Sequence, residues 1–315
     1  MDYSYWKTHI ENFKNQFGSE LGINCDLIIP DDYSQNIPAI GFDNIIIPSQ
    51  FLNLLNGHCN WILSNQNLFQ NIGNWRNERI SQESFGKIDY NLSSDDFKIK
   101  YLSDNFCNQV PLDDRRQKVS AILRDLITYF AIHHELGHAR QKNYEISLEV
   151  SCGKSQDENW YNQAKEVDAD IFGINWLWRL VFKNYYPFKS SETFKKKTEV
   201  LEICLYSTLL FFELSSKNND PQSSDVFRTH PHPFVRLKIV AAFIEDIVVK
   251  NFLTKEEFYR VTRTVVKEFD KTCTYHFGKK LPKFSHDEMK KAISILQKYL
   301  KSDLSLNCNR PYYIE

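Results

Sequence analysis

Hydrophobic and polar positions divide the chain into two regimes. Before about residue 115 the pattern is mixed and irregular, and after about 116 it settles into helical spacing. In the first regime, short runs at 25–30 (CDLIIP), 44–47 (NIII) and 97–102 (FKIKYL), bounded by turn-forming residues, predict a small sheet. Residues 49–63 (SQFLNLLNGHCNWIL) begin with a serine after a proline and repeat apolar residues at helical spacing, which predicts a serine-capped helix packed on that sheet. The Asn- and Ser-rich stretch 64–96 reads as a connecting loop. Downstream, the periodicity predicts helices near 117–142, 160–183, 193–216, 234–251, 255–270 and 285–301. The expected fold class is α+β, a small amino-terminal sheet on a mainly helical domain. The expected segments are an amino-terminal α/β subdomain (1–115), a helical core (116–251) and a carboxyl-terminal helical extension (252–315).

Composition narrows the classes of function. With 42% hydrophobic residues, the chain can bury a substantial core. Lys plus Arg total 39 against 40 Asp plus Glu, a formal charge of −1, so no overall field draws nucleic acid or an anionic membrane surface. The seven cysteines are scattered and never form CxxC, which points to reduced thiols in a cytoplasmic protein. The first residues, MDYSYWKTHIENFKNQFG, lack the apolar run of a signal peptide. The most apolar stretch, 203–212 (ICLYSTLLFF), is about half the roughly 20 residues that cross a bilayer and reads as a buried helix. Lysines crowd 279–301, the pattern of a solvated helix face.

Chemistry enters on the helix that starts near 117. Val119, Ile122, Leu123, Leu126, Ile127 and Phe130 form one stripe, and its continuation reaches His134, Gly137 and His138. Two histidines four residues apart project from one face about a turn apart, so both imidazoles can point at one ion. A catalytic zinc takes three protein ligands and leaves a fourth position for water, so the pair is one ligand short. Glu135 flanks the pair and is suited to act as general base on that water. Gly137 has no side chain and admits a second backbone, or a substrate strand, close to the metal.

The next helix offers the missing ligand. Trp160, Ala164, Val167, Ile171, Ile174, Trp178 and Val181 make its core stripe, and Glu166 and Asp170 sit beside it on one face. Carboxylates beside a core stripe are costly unless paired or bound to metal. Glu166 is therefore the expected third ligand. Asp170, one turn on, is placed to accept the free N–H of a ligating histidine. Asp168 points to the other side and is expected on the surface. His9, His58, His276 and His286 show no partner pattern and read as surface or core residues.

HELGH followed by ExxAD resembles the gluzincin zinc metallopeptidases, which implies a zincin-like fold, one Zn2+ ion and a protein or peptide substrate. A third segment, THPHPFVRL at 229–237, is similar to the His-Pro and Arg motif that borders the active site in the CaaX-protease and heat-shock membrane-protease family. By that resemblance His230 and Arg236 join Glu135 as catalytic residues, with His230 donating to the oxyanion of the tetrahedral intermediate, while His232 is an additional histidine of open role. Those proteases span membranes and this chain shows no such segment. The phage-exclusion peptidases of the Lit type, similar in length and carrying HExxH with a downstream His-Pro-rich motif, resemble it more. That likeness implies antiviral defence by cleavage of a host translation elongation factor, and leaves room for an activating partner or phage peptide.

Plainer readings stand beside these. THPHP alone is also a rigid loop with Pro233 starting a helix. Residues 37–48 (IPAIGFDNIIIP) read either as an edge strand that accepts extended peptide beside the cleft or as an ordinary hairpin. A non-catalytic zinc-bearing regulatory protein on the same scaffold is the rival to an enzyme.

Overall fold

A computed structural model of the 315-residue chain describes residues 4–21, 23–31, 38–40, 44–78, 109–145, 156–184, 193–215, 231–278 and 286–299. The first helix, α1 (Ser4–Phe13), runs into a π-helical turn at Lys14–Gly18. The sequence pattern did not predict α1: only Ile10 and Phe13 are buried on it, too few to mark a periodic stripe. Docking holds it, with the Phe13 ring against His133 and Trp176 at 5.3 and 4.9 Å.

Three short strands follow, β1 (Asp26–Ile28), β2 (Ala39–Ile40) and β3 (Asn44–Ile46), in the order β1-β3-β2. Leu27 pairs in parallel with Ile45, and Ile40 pairs antiparallel with the same residue from the other side. Leu27 and Ile45 are buried, so this face of the sheet joins the core. β2 lies at the sheet edge. The expected strand at 97–102 lies outside the described residues.

α2 (Ser49–Ser64) forms where its apolar spacing predicts, but it packs chiefly on the later helix Asp114–Glu145, which is the one that meets β2 and β3, and its start also differs from the expectation. Pro48 occupies the capping position and no side chain caps the helix; the Ser49 N–H donates instead to the Pro30 carbonyl, 3.0 Å away. A carbonyl just past β1 thus satisfies the first free N–H of the helix. Beyond α2, part of the predicted loop is tied to the core by one buried guanidinium. Arg116 donates to the carbonyls of Leu63, Asn65, Leu68, Phe69 and Ile72, and Glu78 lies 3.6 Å away.

The helical part consists of α3 (Asp114–Glu145), α4 (Gln156–Asn184), α5 (Lys197–Leu214), α6 (Pro233–Asn251), α7 (Lys255–Tyr275) and α8 (His286–Tyr299). Every residue from Val200 to Phe212 is buried, so α5 is a central helix covered on all sides by its neighbours. Thr254 and Glu257 form a reciprocal capping box at the start of α7. One core cluster links Ile10, Ile45, Phe51, Phe130, Phe211 and Phe269. A smaller one joins Ala164 and Val167 of α4 to Val235 and Ile239 of α6 and Ala292 and Leu296 of α8. Among the described residues no helix is long and apolar enough to cross a membrane.

Candidate metal centre

The centre forms where α3 and α4 cross most closely. A β-carbon added at Gly137 would stand 2.8 Å from Ala169 Cα, so the backbone admitted by this glycine is that of α4. One added at Gly173 would meet the Phe130 ring at 3.1 Å. As α3 runs from 130 to 137 its contacts on α4 run back from 173 to 169, so the helices are antiparallel. The apolar stripe of α3 is buried from Val119 to Phe130 apart from the partly covered Ile122, and its next inward position is His134, 4% exposed.

His134, His138 and Glu166 form a group able to hold a metal ion. The two imidazoles meet nearly at right angles, with their Nε2 atoms 3.2 Å apart. Glu166 Oε2 lies 3.5 Å from His134 Nε2, and Oε1 lies 3.5 Å from His138 Nε2. Ligand atoms about 2.0–2.1 Å from a tetrahedral ion are separated by about 3.3 Å, so these spacings fit one small divalent cation. Cover is uneven: the His134 side chain is 5% exposed, while those of His138 and Glu166 are 18% and 16% exposed. The group is closed behind His134 and opens past the other two.

Charge in the site calls for a cation. Burial works against protonating His134, yet Asp170 and Glu166 outweigh it and raise its pKa to about 9. At His138 burial again opposes the charged form, and the Glu166 carboxylate reverses the outcome, raising the pKa against the neighbouring His134. Glu135 is buried, and its charge helps raise the pKa of both His138 and Arg236.

Behind the ligand atoms, His134 Nδ1 lies 3.0 Å from Asp170 Oδ1. Arg236 grips the same carboxylate and passes 3.8 Å from Glu166, with its guanidinium 4.1 Å over the Phe212 ring. Arg236 is 1% exposed, and its charged contacts run to Asp170 and Glu166. His230 lies outside the described residues. His232 gains a role: its Nδ1 accepts the Phe234 N–H, capping α6 with Pro233 in the first turn.

Asp168 requires a correction. It is 3% exposed rather than on the surface, and it accepts hydrogen bonds from Arg140 and Gln141 across the helix pair. Gln141 in turn lies 3.0 Å from His138 Nδ1. These partners escape a search for ligand spacings, because glutamine and arginine signal nothing until the helices are packed. His133, beside the first ligand, faces away: it stacks on Tyr129 at 4.1 Å, with Nδ1 3.0 Å from the Tyr129 carbonyl.

No protein-family model, curated protein or solved structure matches the chain.

Proposed function

We propose that the protein is a zinc-dependent endopeptidase of the gluzincin kind, acting on a protein substrate, with antiviral defence as its setting. The observation that carries this reading is the convergence of His134 Nε2, His138 Nε2 and the Glu166 carboxylate, with buried Glu135 beside them in sequence. The donor set, two imidazoles and one carboxylate, suits zinc, and three protein ligands leave a position for water or substrate. Among the described residues, none of the buried thiols, Cys25, Cys59, Cys204 and Cys273, belongs to the group.

Bound zinc supplies a Lewis acid that polarises the scissile carbonyl and lowers the pKa of water to about 7. Glu135 takes the proton of the attacking water and delivers it to the leaving amine nitrogen. The Asp170 carboxylate, 3.0 Å from His134 Nδ1, favours the ring form with its N–H on Nδ1 and so leaves Nε2 to bind metal, and Arg236 holds Asp170 in that orientation. His230 carries the oxyanion-stabilising role that its motif implies, a contribution of about 2.7–4 kcal/mol in other enzymes.

Glu135→Gln separates binding from chemistry. Metal content of the purified protein and a proteome-wide search for new amino termini after expression are compared between wild type and this variant. Equal zinc with cleavage only in the wild type is expected. Equal zinc with no cleavage product from either protein would instead favour a non-catalytic metal-bearing protein.

A further inference from the structure

The two imidazoles are supported by unlike groups. His134 is backed by a carboxylate, whereas His138 is backed by the neutral amide of Gln141, on the next turn of the same helix. Gln141 is 6% exposed, and each polar atom of its amide has a partner. Its Nε2 donates to the Lys165 carbonyl at 2.8 Å and to Asp168 Oδ2 at 2.9 Å. Arg140 Nη2 donates to the same Asp168 oxygen at 2.5 Å, and its guanidinium lies 5.1 Å over the Phe172 ring.

These contacts fix the amide. Two acceptors, a carbonyl and a carboxylate, face one end, and only the NH2 group can occupy it; the reversed amide would set oxygen against oxygen at both. The amide oxygen therefore faces His138, and an oxygen there can only accept, so the neutral ring of His138 carries its proton on Nδ1. Its Nε2 is left with a lone pair directed at His134 Nε2 and Glu166. The Lys165 carbonyl belongs to the residue before Glu166, so the same amide joins the second imidazole to the backbone that carries the third ligand.

We infer that Gln141 is the positioning residue of His138, and that Asp168, held by Arg140, keeps the amide aimed. The inference rests on the reading of His134, His138 and Glu166 as zinc ligands. It assigns Asp168 a task that depends on its being an acceptor and not on its charge.

The test is the zinc affinity of the full-length chain, measured by competition with a chromophoric chelator. Losing a group that orients a ligand typically weakens metal binding about 10–100-fold, and that loss is expected for Gln141→Leu. Asp168→Asn keeps an oxygen for the Gln141 NH2 and should stay within about threefold of wild type, while Asp168→Leu should fall with Gln141→Leu. If Asp168 served only as the ion-pair partner of Arg140, the two Asp168 variants would bind equally poorly, which overturns the aiming role. Wild-type affinity in Gln141→Leu overturns the positioning role, and a wild type that binds no zinc defeats the metal site itself. A second readout covers variants that fail to fold: 15N-edited spectra of the zinc-loaded wild type should show His138 protonated on Nδ1 with a slowly exchanging proton. An Nε2–H form of His138 would overturn the inference.

Discussion

Arg236 closes a two-bond fork on Asp170, Nε to Oδ2 at 2.7 Å and Nη2 to Oδ1 at 2.6 Å, with neither side chain more than 1% exposed. Burial opposes the guanidinium charge and Asp170 outweighs it, so the Arg236 pKa is raised. Each charge is tolerated because the other is there, and the pair joins α6 to the turn of α4 that carries Glu166. The His-Pro and Arg segment of the sequence is thus bound to the site from behind: His232 starts the helix and Arg236, one turn on, holds the acid that faces His134.

Breaking this fork should cost more than an average substitution. Arg236→Met leaves a buried carboxylate without its partner, a loss of about 3–5 kcal/mol. Arg236→Lys offers a single ammonium where two parallel bonds are needed and should fall between. Urea unfolding of the metal-free protein measures both. Unfolding of Arg236→Met at the wild-type midpoint would show that the pair contributes nothing to the fold.

Gly137→Ala tests the helix contact without touching a ligand. Its new methyl would sit 2.8 Å from Ala169 Cα and 3.3 Å from the Ala169 carbonyl oxygen, backbone atoms that cannot swing aside. Overpacking of this kind costs about 1–3 kcal/mol, and the forced separation moves Glu166 away from the imidazoles. A lower thermal midpoint together with weaker zinc binding is expected. A drop in stability with unchanged zinc affinity would mean that the centre tolerates a wider crossing.

What could be read from the chain follows the range of the forces involved. Most helices from α2 onward show in periodicity, because a buried face repeats every three or four residues whatever lies against it, while α5, buried all round, shows as an apolar run. His134, His138 and Glu166 could be placed together from such faces alone, since both helices direct their stripes inward. Asp168 could not. Its neighbours in sequence put it opposite Glu166, but Arg140 and Gln141 reach over from α3 and cover it. The same holds for α1, fixed by ring contacts, and for His58 and His276, which pair although 218 positions apart. Arg116 shows how loop structure escapes composition: four carbonyls of an Asn-rich stretch, and one from the end of α2, meet one guanidinium.

Metal removal should be visible in stability. A ligand that binds only the folded state stabilises it by about 2.7 kcal/mol at one hundred times its dissociation constant. Thermal unfolding should therefore shift upward with added zinc and return with chelator. The shift should vanish in His138→Ala and Glu166→Ala, and persist in Glu135→Gln. A zinc-dependent shift that survives in Glu166→Ala would remove Glu166 from the ligand set.

Acid and alkali should destabilise the metal-free protein through different histidines. Burial lowers the His58 pKa to about 3. His276 is held well below its usual value by burial and by His58, and His133 by burial and by His9, against the hydrogen bond from its ring to the Tyr129 carbonyl. In the unfolded chain each takes a proton near pH 6.5. Below that pH the unfolded state binds more protons, so the stability these neutral rings contribute is complete above 6.5 and lost as pH falls, by up to about 1.4 kcal/mol per pH unit for each. His134 has the opposite sign: its folded pKa of about 9 means that its contribution is complete below 6.5 and lost as pH rises through 9. The metal-free protein should accordingly be most stable near pH 6.5, as measured by urea midpoints from pH 4.5 to 9.5. Zinc, by replacing the proton on His134, should remove the alkaline decline. His133→Leu should flatten the acid limb alone, and an unchanged slope between pH 6.5 and 4.5 in that variant would mean that the buried ring at 133 does not govern acid unfolding.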